Sequence, residues 1–250
     1  MRIDLEGSMN PVKAAFVTVC GQATKEEVEE EYNYLFGSLA HHAKMGIHVV
    51  LDTSPPQWAF NPKNLPASVQ WYHEPVYGHG LNHFRNQDAI DRAIALARKS
   101  GIDIVVLLDC DEFFTPNTPA DLFHQAVDKI ISIKTYHWYP DVKAYDFLDW
   151  HRRLGPAKDG IHMGLNASWA KHPKYNGNPQ NHCFLSGPMP VLKVDGAYHH
   201  HVTKAVGKKH YIRYPGKVNM PWVAPLDPVP WPEDLELWRT KGIYPSDKYR

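Results

Sequence analysis

The chain has 250 residues, of which 43% are hydrophobic and 22% charged, ordinary values for a folded soluble protein of one α/β domain with a sizeable core. Lys plus Arg equals Asp plus Glu at 27 each, so the formal net charge is zero and no overall charge draws the chain to a polyanion. The three cysteines, Cys20, Cys110 and Cys183, form no Cys-x-x-Cys pair, which argues against a disulfide framework and for reduced, buried thiols in a cytosolic protein.

Met1 to Asn10 lacks the apolar core of a signal peptide, and no apolar run approaches the roughly 20 residues that span a bilayer, so a cytoplasmic protein without a membrane span is expected. Gly7-Ser8-Met9 reads as a cloning junction, and the fold is expected to start at Met9. Ala14–Cys20 is a short β-branched run, the pattern of a buried strand. Thr24 stands three residues before Glu27 as in a capping box. The acids of 26–31 suit a helix N-terminus, and Val28, Tyr32, Leu35 and Leu39 keep helical spacing to about Lys44. Gly46 stops that helix, and Ile47–Leu51 predicts a second strand ending at Asp52. Residues 54–68 read as a loop and Val69–His73 as a short strand. Asn82–Ser100 predicts a helix, with Ala89, Ile90, Ala93, Ile94 and Ala97 on one face and Gly101 as its stop. Ile102–Leu108 is the clearest strand. Pro119 to about Val127 reads as helix and Ile130–Trp138 as strand. Beyond Pro140 the patterns weaken, with strands expected only at Val191–Val194 and Tyr198–Thr203, and the Pro- and Trp-rich tail from Pro215 reads as irregular.

Strands alternating with helices predict an α/β fold with a largely parallel sheet. Residues 9–138 form the expected α/β core, and residues 139–250 the C-terminal part of the same domain. The informative site is Asp109-Cys110-Asp111-Glu112, three carboxylates delivered by an apolar strand. Open α/β sheets bind ligands at the carboxyl ends of their strands. If the extended conformation persists, Asp109 and Asp111 face the same way. Clustered carboxylates repel one another unless protons or a cation neutralise them, and oxygen ligands of this kind suit Mn²⁺ or Mg²⁺ holding a substrate diphosphate. An Asp-x-Asp alone is a weak motif, and a solvated turn is the competing reading.

The stretch from Phe84-Arg85-Asn86 through the helix and strand to Asp109-Cys110-Asp111-Glu112-Phe113 resembles GT-A glycosyltransferases, especially the family 2-like group. That resemblance covers about residues 14–138. It implies a GT-A fold and transfer of a sugar from a nucleotide-diphosphate donor, a UDP-sugar first among them. Asp111 would be the main metal ligand, with Asp109 contacting the donor ribose or the metal. Asp52 would read the nucleobase or ribose, and Arg85 would hold the diphosphate or organise the motif loop. Cys20-Gly21-Gln22 would be the nucleotide-facing loop, although it departs from the family's usual sequence.

GT-A enzymes often take a further metal ligand from a downstream His, and Tyr198-His199-His200-His201 offers His199 or His201, with His210 as an outside choice. A surface His cluster or an adventitious metal site is the alternative. An inverting reaction needs a carboxylate base, for which Asp141, Asp146, Asp149 and Asp159 are candidates. Trp138, Trp150 and Trp169 would stack on sugar or base, or simply fill the core. The acceptor stays open among a glycan, a small molecule and a modified DNA base. Nucleotidyl transfer, another metal-diphosphate chemistry and a non-catalytic sugar- or metal-binding module are the rival functions. A haloacid-dehalogenase-type phosphatase fits poorly, because its Asp pair follows the first strand.

Overall fold

The computed structural model describes residues 12–22, 24–42, 45–77, 83–114, 120–138, 144–164, 184–201 and 224–225. In chain order the strands are β1 (Ala14–Cys20), β2 (Ile47–Asp52), β3 (Val69–His73), β4 (Ile104–Leu107), β5 (Glu112–Phe114), β6 (Ile130–Trp138), β7 (Ala144–Pro156), β8 (His162–Gly164), β9 (Phe184–Ser186), β10 (Val191–His201) and β11 (Ala224–Pro225). The helices are α1 (Lys25–His42), α2 (His83–Lys99) and α3 (Ala120–Gln125).

The main sheet has the order β3-β2-β1-β4-β7-β6-β10-β5, with β11 added to β7. Strands β3, β2, β1 and β4 pair in parallel, as do β6 and β10. Strand β7 is antiparallel to β4, β6 and β11, and β5 is antiparallel to β10. Seven of the nine strands therefore run one way and β5 and β7 the other, which agrees with the expected largely parallel sheet. Strands β7, β10 and β11 place parts of residues 139–250 in the same sheet as β1–β6. A small separate sheet pairs β8 with β9.

The central strands are buried on both faces because each alternates between two cores. Ala15 and Val17 of β1, with Val49 and Leu51 of β2, meet Ala89, Ile90, Ala93, Ile94 and Ala97 of α2. Ala14 and Phe16 point into a different core with Ile104 and Val106 of β4 and Leu122 and Phe123 of α3. Val28, Tyr32, Leu35 and Leu39 of α1 are buried as their spacing predicts, packed with Cys20, Val50, Cys110 and Phe113.

The start of α1 and the stop of α2 follow from their sequences. Thr24 Oγ1 accepts from Glu27 N at 3.3 Å, the N-cap half of a capping box, while the Glu27 carboxylate accepts from the Thr24 hydroxyl at 2.9 Å. At the end of α2, Gly101 N donates to Arg98 O and Ile102 N to Ala97 O, while Gly101 adopts φ +71°. That is a Schellman closure, and the left-handed residue it needs is most easily glycine.

Strand β5 does more than extend the sheet. Four strand spacings separate β4 from β5 in the sheet order, roughly 19 Å if the sheet were flat. Leu107 and Glu112 are joined by five peptide steps, which reach about 17 Å only when fully extended. The link is a tight turn, so the sheet must curl to bring β10 and β5 toward the end of β4. That curl assembles the candidate site.

Candidate functional site

Strand β4 stops at Leu107, and Asp109-Cys110-Asp111-Glu112 forms a turn, not an extended strand. Glu112 N donates to Asp109 O at 3.1 Å, the closure of a β-turn. Asp109 N in turn donates to Glu112 Oε2 at 2.5 Å. The expectation that Asp109 and Asp111 share a face through strand alternation is therefore corrected: the two residues lie in a turn and not in a pleated strand.

The three acids of the motif have different fates. Glu112 is 2% exposed and pairs through Oε1 with Arg153 NH2 at 2.6 Å. Arg153, 1% exposed on β7, also meets His151 Nδ1 at 3.3 Å. A buried carboxylate survives only when paired and hydrogen-bonded, and Glu112 is both. Asp109 and Asp111 are partly exposed. Those two carboxylates remain at the surface of the turn, at the carboxyl end of a central strand.

The neighbouring loops are fastened to one another. Thr53 N and Thr53 Oγ1 both donate to Cys20 O, at 2.8 and 3.0 Å. Gly21 sits at φ +142°, and a Cβ there would lie 2.3 Å from Thr53 Oγ1 and 2.9 Å from Ser54 N, so only glycine fits. Glu31 of α1 holds the Cys20–Gln22 loop: its Oε2 accepts from Gly21 N at 2.7 Å and its Oε1 from Gln22 Nε2 at 3.1 Å. Burial raises the Glu31 carboxyl to about 7, against the opposing pull of those hydrogen bonds. Burial likewise pushes the Cys20 thiol up to about 12, and Cys110 is raised by its hydrogen bond to Cys20 and by burial. Both are free thiols held in the unreactive protonated form.

Asp52, expected to face the nucleobase, lies at the end of β2 and is fully buried. Its Oδ2 accepts from Tyr32 OH at 2.7 Å and its Oδ1 from Ser54 N at 2.9 Å. The Tyr32 hydroxyl accepts in turn from Phe60 N at 2.9 Å, tying the 53–68 loop to α1. Asp52 thus organises the loop behind this end of the sheet. Arg85 is in the first turn of α2, and its side chain lies outside the described residues.

The predicted His segment does come to the acidic motif. In the β10–β5 ladder His201 pairs with Glu112, His200 with Phe113 and His199 with Phe114. The two strands expected at Val191–Val194 and Tyr198–Thr203 are one strand with a register shift between Lys193 and Tyr198. Among the described residues no group of three or more His, Cys, Asp or Glu side chains forms a metal cage. The side chains of His199 and His201 lie outside that description.

The base candidates separate by sheet direction. Strand β7 enters at the motif end and leaves at the far end, so Asp146 and Asp149 lie toward the motif end. Asp159 follows β7 at the far end, 97% exposed in its side chain and paired with Arg98 of α2 at 2.7 Å. That placement corrects its candidacy. Asp141, Trp169 and His210 lie outside the described residues, as do the side chains of Trp138 and Trp150. Arg153 and Glu31 were missed by sequence reasoning. Glu31 had a legible signal, since it stands three residues after Val28 and four before Leu35 on the buried stripe of α1.

No protein-family model matches the chain, and no curated protein matches it. Among solved structures, S. aureus TarS 1-349 is similar over 76% of this chain and 60% of that one, at 12% identity and a TM-score of 0.40. S. aureus TarS is similar with the same identity and TM-score over 76% of this chain and 36% of that one. The chain thus spans less than two thirds of either, and both likenesses are distant. Among the described residues no helix is long and apolar enough to cross a membrane.

Proposed function

We propose that this chain is a GT-A-type glycosyltransferase that moves a sugar from a nucleotide-diphosphate donor, a UDP-sugar first among them, with Mn²⁺ or Mg²⁺ at the Asp109–Glu112 turn. One observation carries the reading. Of three adjacent acids, Glu112 is neutralised inside the protein by Arg153, while Asp109 and Asp111 stay partly exposed at the carboxyl end of the central strand.

Two hard oxygen donors suit a divalent cation that completes its shell with water and phosphate oxygens. The His199–His201 segment pairs with β5 beside the turn, and an imidazole of His199 or His201 would be the nitrogen donor that completes this set. The bound metal supplies charge stabilisation for the departing nucleoside diphosphate. The chain's own part is positional. Asp109 and Asp111 would hold the cation, and Arg85, in the first turn of α2, would hold the diphosphate or organise the motif loop. The Cys20–Gln22 loop, clamped by Glu31, forms the base-facing wall, with Asp52 shaping it through Tyr32 and Ser54. Asp146 and Asp149, at the motif end of β7, are the candidates to take the acceptor proton. A glycan, a small molecule or a modified DNA base all fit as acceptor, and the free thiols Cys20 and Cys110 suit a reducing cytoplasm.

The test is calorimetric titration of UDP and UDP-glucose, with and without Mn²⁺, into wild type and Asp111→Ala. Metal-dependent binding that weakens at least tenfold in the variant is expected, since metal ligands carry most of such affinity. Binding that ignores both Asp111 and metal would overturn the assignment. Release of pyrophosphate in place of a nucleoside diphosphate would move the reading to nucleotidyl transfer.

A further inference from the structure

Strand β5 is three residues long and follows the acidic turn directly, so whatever fixes β5 fixes the turn. One of its edges pairs with β10. Backbone groups of β5 that a further strand would normally satisfy are met instead by side chains of the last turns of α1. Ser38 Oγ donates to Glu112 O at 3.1 Å. His41 Nε2 meets Phe114 O at 3.0 Å, and Phe114 N donates to His42 Nε2 at 2.9 Å. All three side chains are buried.

The His42 contacts admit one protonation state. Its Nε2 accepts from a backbone N–H and so carries no proton. Its Nδ1 lies 2.7 Å from Ser38 O, a carbonyl that can only accept, so Nδ1 carries the proton. The ring sits 4.5 Å from Phe16 and 6.1 Å from Phe113, which fixes its plane. The rings of His41 and His48 lie 4.8 and 5.9 Å from it between centroids. Burial lowers His48 to about 3, which keeps it neutral. The bond from His41 to Phe114 O runs the other way, with Nε2 as donor and the carbonyl as acceptor. A generic apolar plug would need neither.

We infer that His42 is a positioning residue for the Asp109–Asp111 site: as the neutral Nδ1–H tautomer it accepts the Phe114 amide and, with Ser38 and His41, supplies β5 with an edge partner that sets the acidic turn. This rests on reading Asp109 and Asp111 as the donor site. His42 touches no donor atom; it acts through β5. The nearest precedent in principle is the outer ring of hydrogen bonds around a metal site, whose loss costs roughly ten- to a hundredfold in metal affinity.

The experiment pairs His42→Phe, which keeps a ring in the core but has no acceptor, with His42→Gln, whose Oε1 can take the place of Nε2. Ser38→Ala is a milder third variant, should the Phe variant fail to fold. Three readouts are taken on full-length protein: the ring ¹⁵N shifts of His42 in wild type, amide exchange at Phe114 against Val105 and Val106 as core controls, and affinity for Mn²⁺ with UDP. The expected results are an Nδ1–H tautomer, Phe114 exchange at least roughly tenfold faster in His42→Phe with the controls unchanged, and Mn²⁺–UDP affinity about ten- to a hundredfold weaker there. His42→Gln should restore both to within about threefold, and Ser38→Ala should move both in the same direction by less. An Nε2–H tautomer overturns the proposal. So does a Gln variant no better than Phe, which would reduce His42 to core filling. Wild type that binds neither Mn²⁺ nor UDP overturns the donor-site reading alone, because the tautomer and Phe114 exchange decide the latch without any ligand.

Discussion

Replacing Arg153 with Met is the sharpest test of how the acidic turn is held. Met has similar length and no charge, so the substitution removes the partner of Glu112 without opening a large cavity. Glu112 then keeps its bond from Asp109 N but loses the 2.6 Å ion pair that neutralises it at 2% exposure. Breaking one side of a buried pair typically costs about 3–5 kcal/mol, because the other charge is left without compensation. For a chain of this size 1 kcal/mol moves the melting midpoint by roughly 2–4 °C, so the expected fall is about 6–20 °C. Urea unfolding followed by tryptophan fluorescence, at pH 7.5, measures the cost directly. Glu112→Gln should cost a similar amount, since it strands the Arg153 charge. The double variant should lose less than the sum of the singles by at least about 2 kcal/mol, the signature of coupled neighbours. An Arg153→Met protein within about 1 kcal/mol of wild type, or strictly additive variants, would refute the claim that the pair organises the turn.

Glu31 makes a pH-dependent prediction. Its carboxyl is raised from 4.5 to about 7 in the fold, so the folded state holds the proton more tightly than the unfolded chain. Its contribution is fully present below about pH 4.5 and is lost as pH rises through 7, a cost approaching about 3 kcal/mol above that. In Glu31→Gln, stability relative to wild type should therefore improve by up to that amount between pH 4.5 and 8; urea melts at both ends give the difference, and a pH-independent gap would sink the idea. Gly21→Ala should destabilise by about 1–3 kcal/mol through its φ of +142° and the clash with Thr53, and should also weaken UDP binding. A thermal shift of under a degree would show that the loop accommodates a Cβ freely.

The legible parts of the fold were those where local pattern and burial agree. Helix α2 was readable because Ala89, Ile90, Ala93, Ile94 and Ala97 repeat at helical spacing and all five are buried. Its stop was readable because Gly101 is required by a backbone conformation. Strand β7 was not readable, although it is the longest among the described residues, because Ala144–Pro156 mixes aspartates, arginines and aromatics without alternation. Part of the reason is now physical. Arg153 is turned into the core to meet Glu112, and hydrophobic patterning assigns a charged residue to the surface by default. Strand β5 escaped notice because three residues are too few to show a period.

The geometry of the acidic motif was only partly legible in the sequence. Strand alternation was expected to align Asp109 and Asp111, yet β4 ends two residues before Asp109 and a turn takes over. Spacing cannot tell these apart, since residues i and i+2 approach one another in either geometry. The difference lies in Glu112. In an extended strand it would face away from the two aspartates as a third solvated acid. In the turn its carboxylate folds back onto Asp109 N and is neutralised from β7, a strand more than thirty residues further along the chain. A single acid thus converts a long-range ion pair into local shape. Of the three acids, Glu112 is thereby buried, while Asp109 and Asp111 stay partly exposed.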